Sequence, residues 1–298
     1  MVTEPINNPS RRSFIRQNVA AGIGLAVMNP SSAFAKPAYS GMRPGLVTYQ
    51  WGKDWDLPTL IANCAKTGLL GVELRTRNAH GVETHLNASQ RGDVKKQFAD
   101  SPVTCIGYGS NFEYHNPDPK ILRENIDQTK EYIKLCKDIG ASGIKVKPNN
   151  LPVGVPREKT VAQIAASLNE VGKFAQDYGQ LVRVEVHGPR TQELPNMQAI
   201  FDQVTEPNVR ICWNCNNTDL LQDGLEGNFN RVKKWLGDTI HVRVFNMPDY
   251  PSQQLFNLLA GMNFKGWALI EESTMPADTI AAMKEQVALF NQLIANVK

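Results

Sequence analysis

Long apolar runs are missing from this 298-residue chain. The best candidate, residues 19–28, is about half of what a membrane-spanning helix needs, so no span is expected in the mature chain. No charge sign dominates: 32 Lys and Arg stand against 29 Asp and Glu. That balance excludes a globally basic surface for nucleic acid. Cysteine is sparse and odd in number, Cys64, Cys105, Cys136, Cys212 and Cys215, which argues against a disulfide scaffold. Cys212 and Cys215 have C-x-x-C spacing, but they straddle a strand end with opposite side-chain directions. No second such pair exists to complete a tetrahedral zinc site. A glycine-rich G-x-G-x-x-G turn after the first strand is also lacking, which argues against a dinucleotide crevice in an open doubly wound sheet.

The N-terminal 35 residues form a separate unit of organisation. Ser10-Arg11-Arg12-Ser13-Phe14-Ile15-Arg16 resembles the twin-arginine (Tat) export signal, followed by the moderately apolar stretch 19–28 and the small-residue pattern Ala33-Phe34-Ala35. The expectation is a signal peptide over 1–35, a mature domain over 36–298 and the Tat export machinery as a partner. The place of action is then periplasmic or otherwise extracytoplasmic.

Across the mature chain, strand-like and helix-like patterns alternate. Strands are expected at 45–51, 71–75, 103–108, 143–147, 181–186, 209–213, 241–245 and 267–270. Helical patterns fall at 119–139, 159–178, 194–204, 227–236, 252–261 and 277–297, with a more polar segment at 87–99. Eight strand and helix units of this length close most simply as an α/β fold of the (β/α)8 TIM barrel type.

The strand ends carry the chemistry. VRVEVHG reaches Glu185, RICWN reaches Asn214, HVRVF contains Arg243 and WALIE ends at Glu271. In a closed parallel barrel such positions converge on one mouth. Charges also recur at a two-residue period within strands: Glu73, Arg75 and Arg77, then Lys145 and Lys147, then Arg183, Glu185 and His187. Buried charges are costly unless paired, so these sets imply ion pairs or a polar ligand at the mouth. Asn111 to Asn116, with Glu113 and His115, reads as a polar and aromatic loop able to bind sugar hydroxyls, with Arg77 in a similar loop and Trp51 as a stacking face.

The order of these strand ends, VEVHG on the fifth and GWALIE on the eighth, resembles the xylose-isomerase-like barrels of sugar isomerases and epimerases, a family that also includes repair endonucleases. The resemblance covers residues 44–298. It implies a divalent metal held by Glu, Asp, His and Glu from strands five to eight. Those positions fall on Glu185, Asn214, Arg243 and Glu271. Asn offers a neutral carbonyl oxygen, but Arg has no lone pair to donate. The expectation is therefore either no metal, with Arg243 paired to the glutamates, or one divalent ion (Mn, Mg or Zn) in a non-standard site of Glu185, Asn214 and Glu271, shifted toward nearby His187, Glu272 or His241.

The resemblance further implies an isomerase or epimerase with a small sugar as substrate. Glu185 and Glu271 would exchange the proton next to a carbonyl, with Lys147 and His187 as oxyanion stabilisers or bases. Arg243, Asn214, His115, Arg77, Glu113 and Trp51 would bind substrate. A keto-sugar lyase and a non-catalytic carbohydrate-binding barrel are the alternative functions. Five histidines and an export signal do not suit a repair endonuclease.

Overall fold

The computed structural model describes residues 41–298, and the expected signal segment lies outside the described residues. Eight parallel strands pair in sequence order and close on themselves, the last against the first. They are β1 (Arg43–Val47), β2 (Gly71–Arg75), β3 (Thr104–Glu113), β4 (Gly143–Lys147), β5 (Leu181–Glu185), β6 (Val209–Asn214), β7 (Leu236–Val242) and β8 (Trp267–Ile270). Between and after them run α1 (Leu57–Thr67), α2 (Ala88–Ala99), α3 (Pro119–Asp138), α4 (Arg157–Asp177), α5 (Leu194–Phe201), α6 (Gly224–Val232), α7 (Ser252–Gly261) and α8 (Thr279–Ala295). This is the (β/α)8 barrel that the alternating pattern implies. No helix among the described residues is long and apolar enough to cross a membrane.

Local chemistry explains the helix starts. Asp118 accepts from the Lys120 amide at 2.8 Å ahead of Pro119, and Asn87 and Gln90 cap α2 reciprocally. Helix α1 is an addition to the sequence expectation. Asp56 caps it through the Thr59 amide, and left-handed Gly68 ends it. The largest displacement is β7, expected at 241–245 and observed at Leu236–Val242.

The apolar core lies mainly between the sheet and the helical shell, with a smaller cluster of Val47, Ile106, Trp267 and Leu269. Charged residues take much of the remaining barrel interior. Arg183 is fully buried, with Nε and Nη2 donating to the two Asp238 oxygens at 2.7 and 2.8 Å. Glu73, Lys145, Glu185 and His241 are also buried. Glycine makes room for them: a Cβ on Gly109 would stand 2.4 Å from Glu73 Oε1.

Candidate functional site

Six strands, β2 and β4 to β8, contribute to a charge cluster at the C-terminal mouth. Glu185 at the end of β5 accepts from Lys145 Nζ of β4 through Oε2 at 2.6 Å, and both side chains are fully buried. Glu271, just after β8, accepts from Arg75 Nη1 of β2 through Oε1 at 2.8 Å. Each carboxylate thus has one oxygen fixed by a cation. The other oxygens face a common point: His241 Nδ1 lies 3.0 Å from Glu271 Oε2 and 3.8 Å from Glu185 Oε1. Asn214 donates its Nδ2 to that same Glu185 Oε1 at 3.1 Å.

On its other side His241 faces Glu73. Its Nε2 lies at an ion-pair distance of 3.3 Å from Glu73 Oε1, and neither that nitrogen nor either Glu73 oxygen has a hydrogen-bond partner. A carboxylate on one ring nitrogen fixes the imidazole plane and aims the other nitrogen.

Above the cluster opens a cavity of about 450 Å3. Its wall includes Glu185, Glu271, Arg75, Lys147, His187 and Arg243. The loop after β6 supplies Asn216, Asn217 and Thr218. Asn216 pins this loop by donating Nδ2 to the carbonyls of Val186 and Asn214, each at 2.8 Å. His187 Nδ1 pairs with Asn149 Oδ1 at 2.7 Å. The approach of the two loops requires Gly188, whose φ is 92° and whose Cβ would stand 2.3 Å from the Asn149 carbonyl oxygen.

The cluster's electrostatics are set by burial against pairing. Burial alone would raise Glu185, but Lys145 and His241 outweigh it and hold the carboxyl well below the usual range. Glu271 is lowered less: burial and the neighbouring Glu185 oppose the pull of His241 and Lys145. Burial pushes Lys147 down, helped by Lys145, and it also lowers His187. Burial would discharge His241, yet Cys212, Glu73 and Glu271 hold its pKa well above the ordinary histidine value.

The donor set fits a divalent cation. One oxygen each from Glu185 and Glu271 and one nitrogen of His241 cluster together, with His241 Nδ1 3.0 and 3.8 Å from the two oxygens, separations within reach of ligands about 2.0–2.2 Å from one ion. Asn214 can add its carbonyl oxygen after an amide rotation, and Glu73 supplies the outer carboxylate that metal-bound histidines use.

The expected site residues divide accordingly. Glu185, Glu271, Lys147, His187, Asn214 and Arg243 all line the one cavity. The expected pairing of Arg243 with the glutamates is overturned: Arg243 is exposed at the cavity rim and forms no ion pair with them, while His241, two residues earlier, lies beside both. Those pairs belong to Arg75 and Lys145. Trp51 is no stacking face, because its ring is buried and its Nε1 donates to the Thr274 carbonyl at 2.8 Å. The exposed aromatic on the wall is Tyr49, with the Arg75 guanidinium 5.1 Å from its ring centre. Arg77 lies exposed beyond the end of β2, and Glu113 and His115 pair with each other at 3.3 Å; none of the three lines the cavity. Glu73, Arg75, Lys145 and Tyr49 are the residues that the sequence reading left out of the site. The two-residue period had marked the first three as one-faced charges, without partners.

No curated protein matches the chain by sequence. Among solved structures, an L-ribulose 3-epimerase is similar with a TM-score of 0.73 at 14% identity, over 85% of this chain and 94% of that one. A 3-keto-D-glucoside 4-epimerase from E. coli is similar with a TM-score of 0.69 at 14% identity, over 84% and 99%. The IolI protein with a bound zinc atom is similar with a TM-score of 0.70 at 15% identity, over 86% and 99%. The model of the xylose isomerase-like TIM barrel matches residues 61–293. With a closed eight-stranded barrel and that match, the chain belongs to the xylose isomerase-like TIM barrel family.

Proposed function

We propose that this chain is a sugar isomerase or epimerase that moves a proton at the carbon next to the carbonyl of a carbohydrate or keto-sugar. One observation carries the reading: Glu185 and Glu271, from opposite sides of the β6 and β7 strand ends, line the same cavity, each with one oxygen clamped by a cation. Two acids in one cavity supply a base for one side of a carbon and an acid for the other. The sugar epimerases among the similar structures support the choice of substrate class.

The low pKa of both carboxylates makes them weak bases, so the substrate C–H must be acidified. Lys147 provides a cation on the cavity wall for the developing enolate oxygen. His187 lines the cavity, and with Nδ1–H donating to Asn149 Oδ1 its neutral ring leaves Nε2 to accept a hydrogen bond from a substrate hydroxyl. Tyr49 offers an apolar face at the mouth. A divalent cation, as in the zinc-bound IolI protein, would be held by Glu185, Asn214, His241 and Glu271 and would polarise the substrate carbonyl. The twin-arginine segment extends the proposal to an extracytoplasmic place of action.

Solvent deuterium exchange into sugars that stabilise the protein tests the reading. Wild-type protein is expected to exchange the proton next to the carbonyl, and Glu185→Gln and Glu271→Gln each to abolish it. Exchange retained in both variants refutes the assigned roles, and binding without any exchange in the wild type favours a carbohydrate-binding barrel.

A further inference from the structure

The cavity wall carries more positive charge than the proton transfer uses. Its acids are Glu185 and Glu271, and its Lys and Arg residues are Arg75, Lys147 and Arg243. The two acids are already matched, one by Arg75 on the wall and the other by Lys145 behind it, at 2.8 and 2.6 Å. Asn214 adds no acid, since its neutral amide donates to Glu185. The rim loop after β6 contributes only neutral side chains, Asn216, Asn217 and Thr218. Lys147 and Arg243 therefore face the cavity outside every ion pair among the described residues.

Lys147 has a task in the reading above, opposite the enolate oxygen. Arg243 has none. It sits just beyond β7 at the exposed rim, while Lys147 ends β4 and is half-buried. A neutral sugar leaves the guanidinium to water alone. A sugar that carries its own carboxylate or phosphate matches the planar fork with two parallel hydrogen bonds. Positive charge at a concave mouth also draws an anion in from solution.

We propose that Arg243 selects sugars bearing an anionic substituent, a carboxylate or a phosphate, and holds that substituent at the rim of the cavity. The inference rests on the proton-transfer reading, because that reading is what occupies Lys147 and leaves Arg243 over.

The test is calorimetric binding to the purified protein with matched sets of hexose and ketohexose sugars: the neutral sugar, its uronate and its 6-phosphate. At least one anionic member is expected to bind about 10-fold or more tightly than its neutral parent at low salt. The preference should shrink as ionic strength rises. The uronate and phosphate arms distinguish the two sources of charge. Arg243→Gln should remove the preference and raise KM with little change in kcat, whereas Arg243→Lys should keep part of it. Equal affinity for neutral and anionic members, binding confined to neutral ones, no binding by any anionic member, or an undiminished preference in Arg243→Gln overturns the proposal. Deuterium exchange measured on the same sugars separates the two readings. Anionic selection without exchange removes the proton-transfer chemistry alone, and exchange on neutral sugars bound as well as anionic ones removes the selection alone.

Discussion

Lys145 and Glu185 bury a full pair of charges inside the barrel, with side-chain exposures of 0% and 1%. Burial penalises both ions, so the pair persists because each supplies the other's counter-charge at 2.6 Å. Removing one partner strands the other. Lys145→Met is expected to destabilise the fold by about 3–5 kcal/mol in urea unfolding, since Glu185 then lacks its strongest positive neighbour. Glu73 acts differently, because its contact with His241 orients a ring. Glu73→Gln should weaken manganese or zinc binding about 10- to 100-fold in calorimetric titration while the fold persists. A variant that binds metal as the wild type does would show that the Glu73 contact does not tune His241.

At the scale of elements, the loop after β6 is held by a buried chain of hydrogen bonds. Trp213 Nε1 donates to the Tyr250 hydroxyl at 3.1 Å, and that hydroxyl donates to Asp219 Oδ2 at 2.7 Å. The Asn216 amide donates to the same oxygen at 3.0 Å, while Asp219 Oδ1 has no partner. Burial pushes the Asp219 carboxyl up to about 7, from 3.8 when exposed, although the Tyr250 hydrogen bond opposes the rise. The folded state therefore keeps a proton that the unfolded chain gives up first. Stability is greatest below the unfolded value and declines as pH climbs from 3.8 to about 7, above which it levels off. Asp219→Asn should remove this slope. The stability of wild type minus variant is expected to fall by up to about 4 kcal/mol between pH 4 and pH 8 in urea titrations. A constant difference across that range would place Asp219 outside the pH response.

The same scale shows how much was legible in the sequence. Strands β2, β4 and β8 stand where the apolar runs placed them, and the convergence of Glu185, Asn214 and Glu271 followed from parallel closure. Strand β7 was misplaced because its opening, Leu236-Gly237-Asp238-Thr239, looks like a turn. Asp238 is acidic there because it pairs with Arg183 across the barrel, a contact between residues 55 positions apart. That shift centred the expected strand on Arg243 and left His241 as only one of several ligands for a shifted site. The partners of the cluster were hidden for a related reason. A period of two shows which side chains share a face, but Arg75 and Glu271 lie 196 residues apart and meet only once the barrel closes.

For the whole molecule, the free thiols bear on where it works. Cys64, Cys105, Cys136, Cys212 and Cys215 are all unpaired and all buried. Burial raises Cys64 and Cys136 to about 12 and raises Cys105 and Cys215 as well, so these four sulfurs stay as unreactive thiols. A barrel folded before export would carry them sealed through an oxidising compartment, whereas a chain threaded unfolded would expose all five to disulfide formation. The proposed twin-arginine signal at Arg11 and Arg12 would take the first route, since that machinery carries folded cargo. Native protein should therefore react with almost no Ellman's reagent, and with five equivalents after denaturation. Replacing the pair, Arg11→Lys with Arg12→Lys, should leave uncleaved precursor inside the cell, folded and with its thiols still protected. Wild-type protein recovered outside the cytoplasm should start near Lys36. Unchanged export of the double-lysine variant would sink the assignment of the signal, and disulfides in the exported barrel would show that folding came after transport.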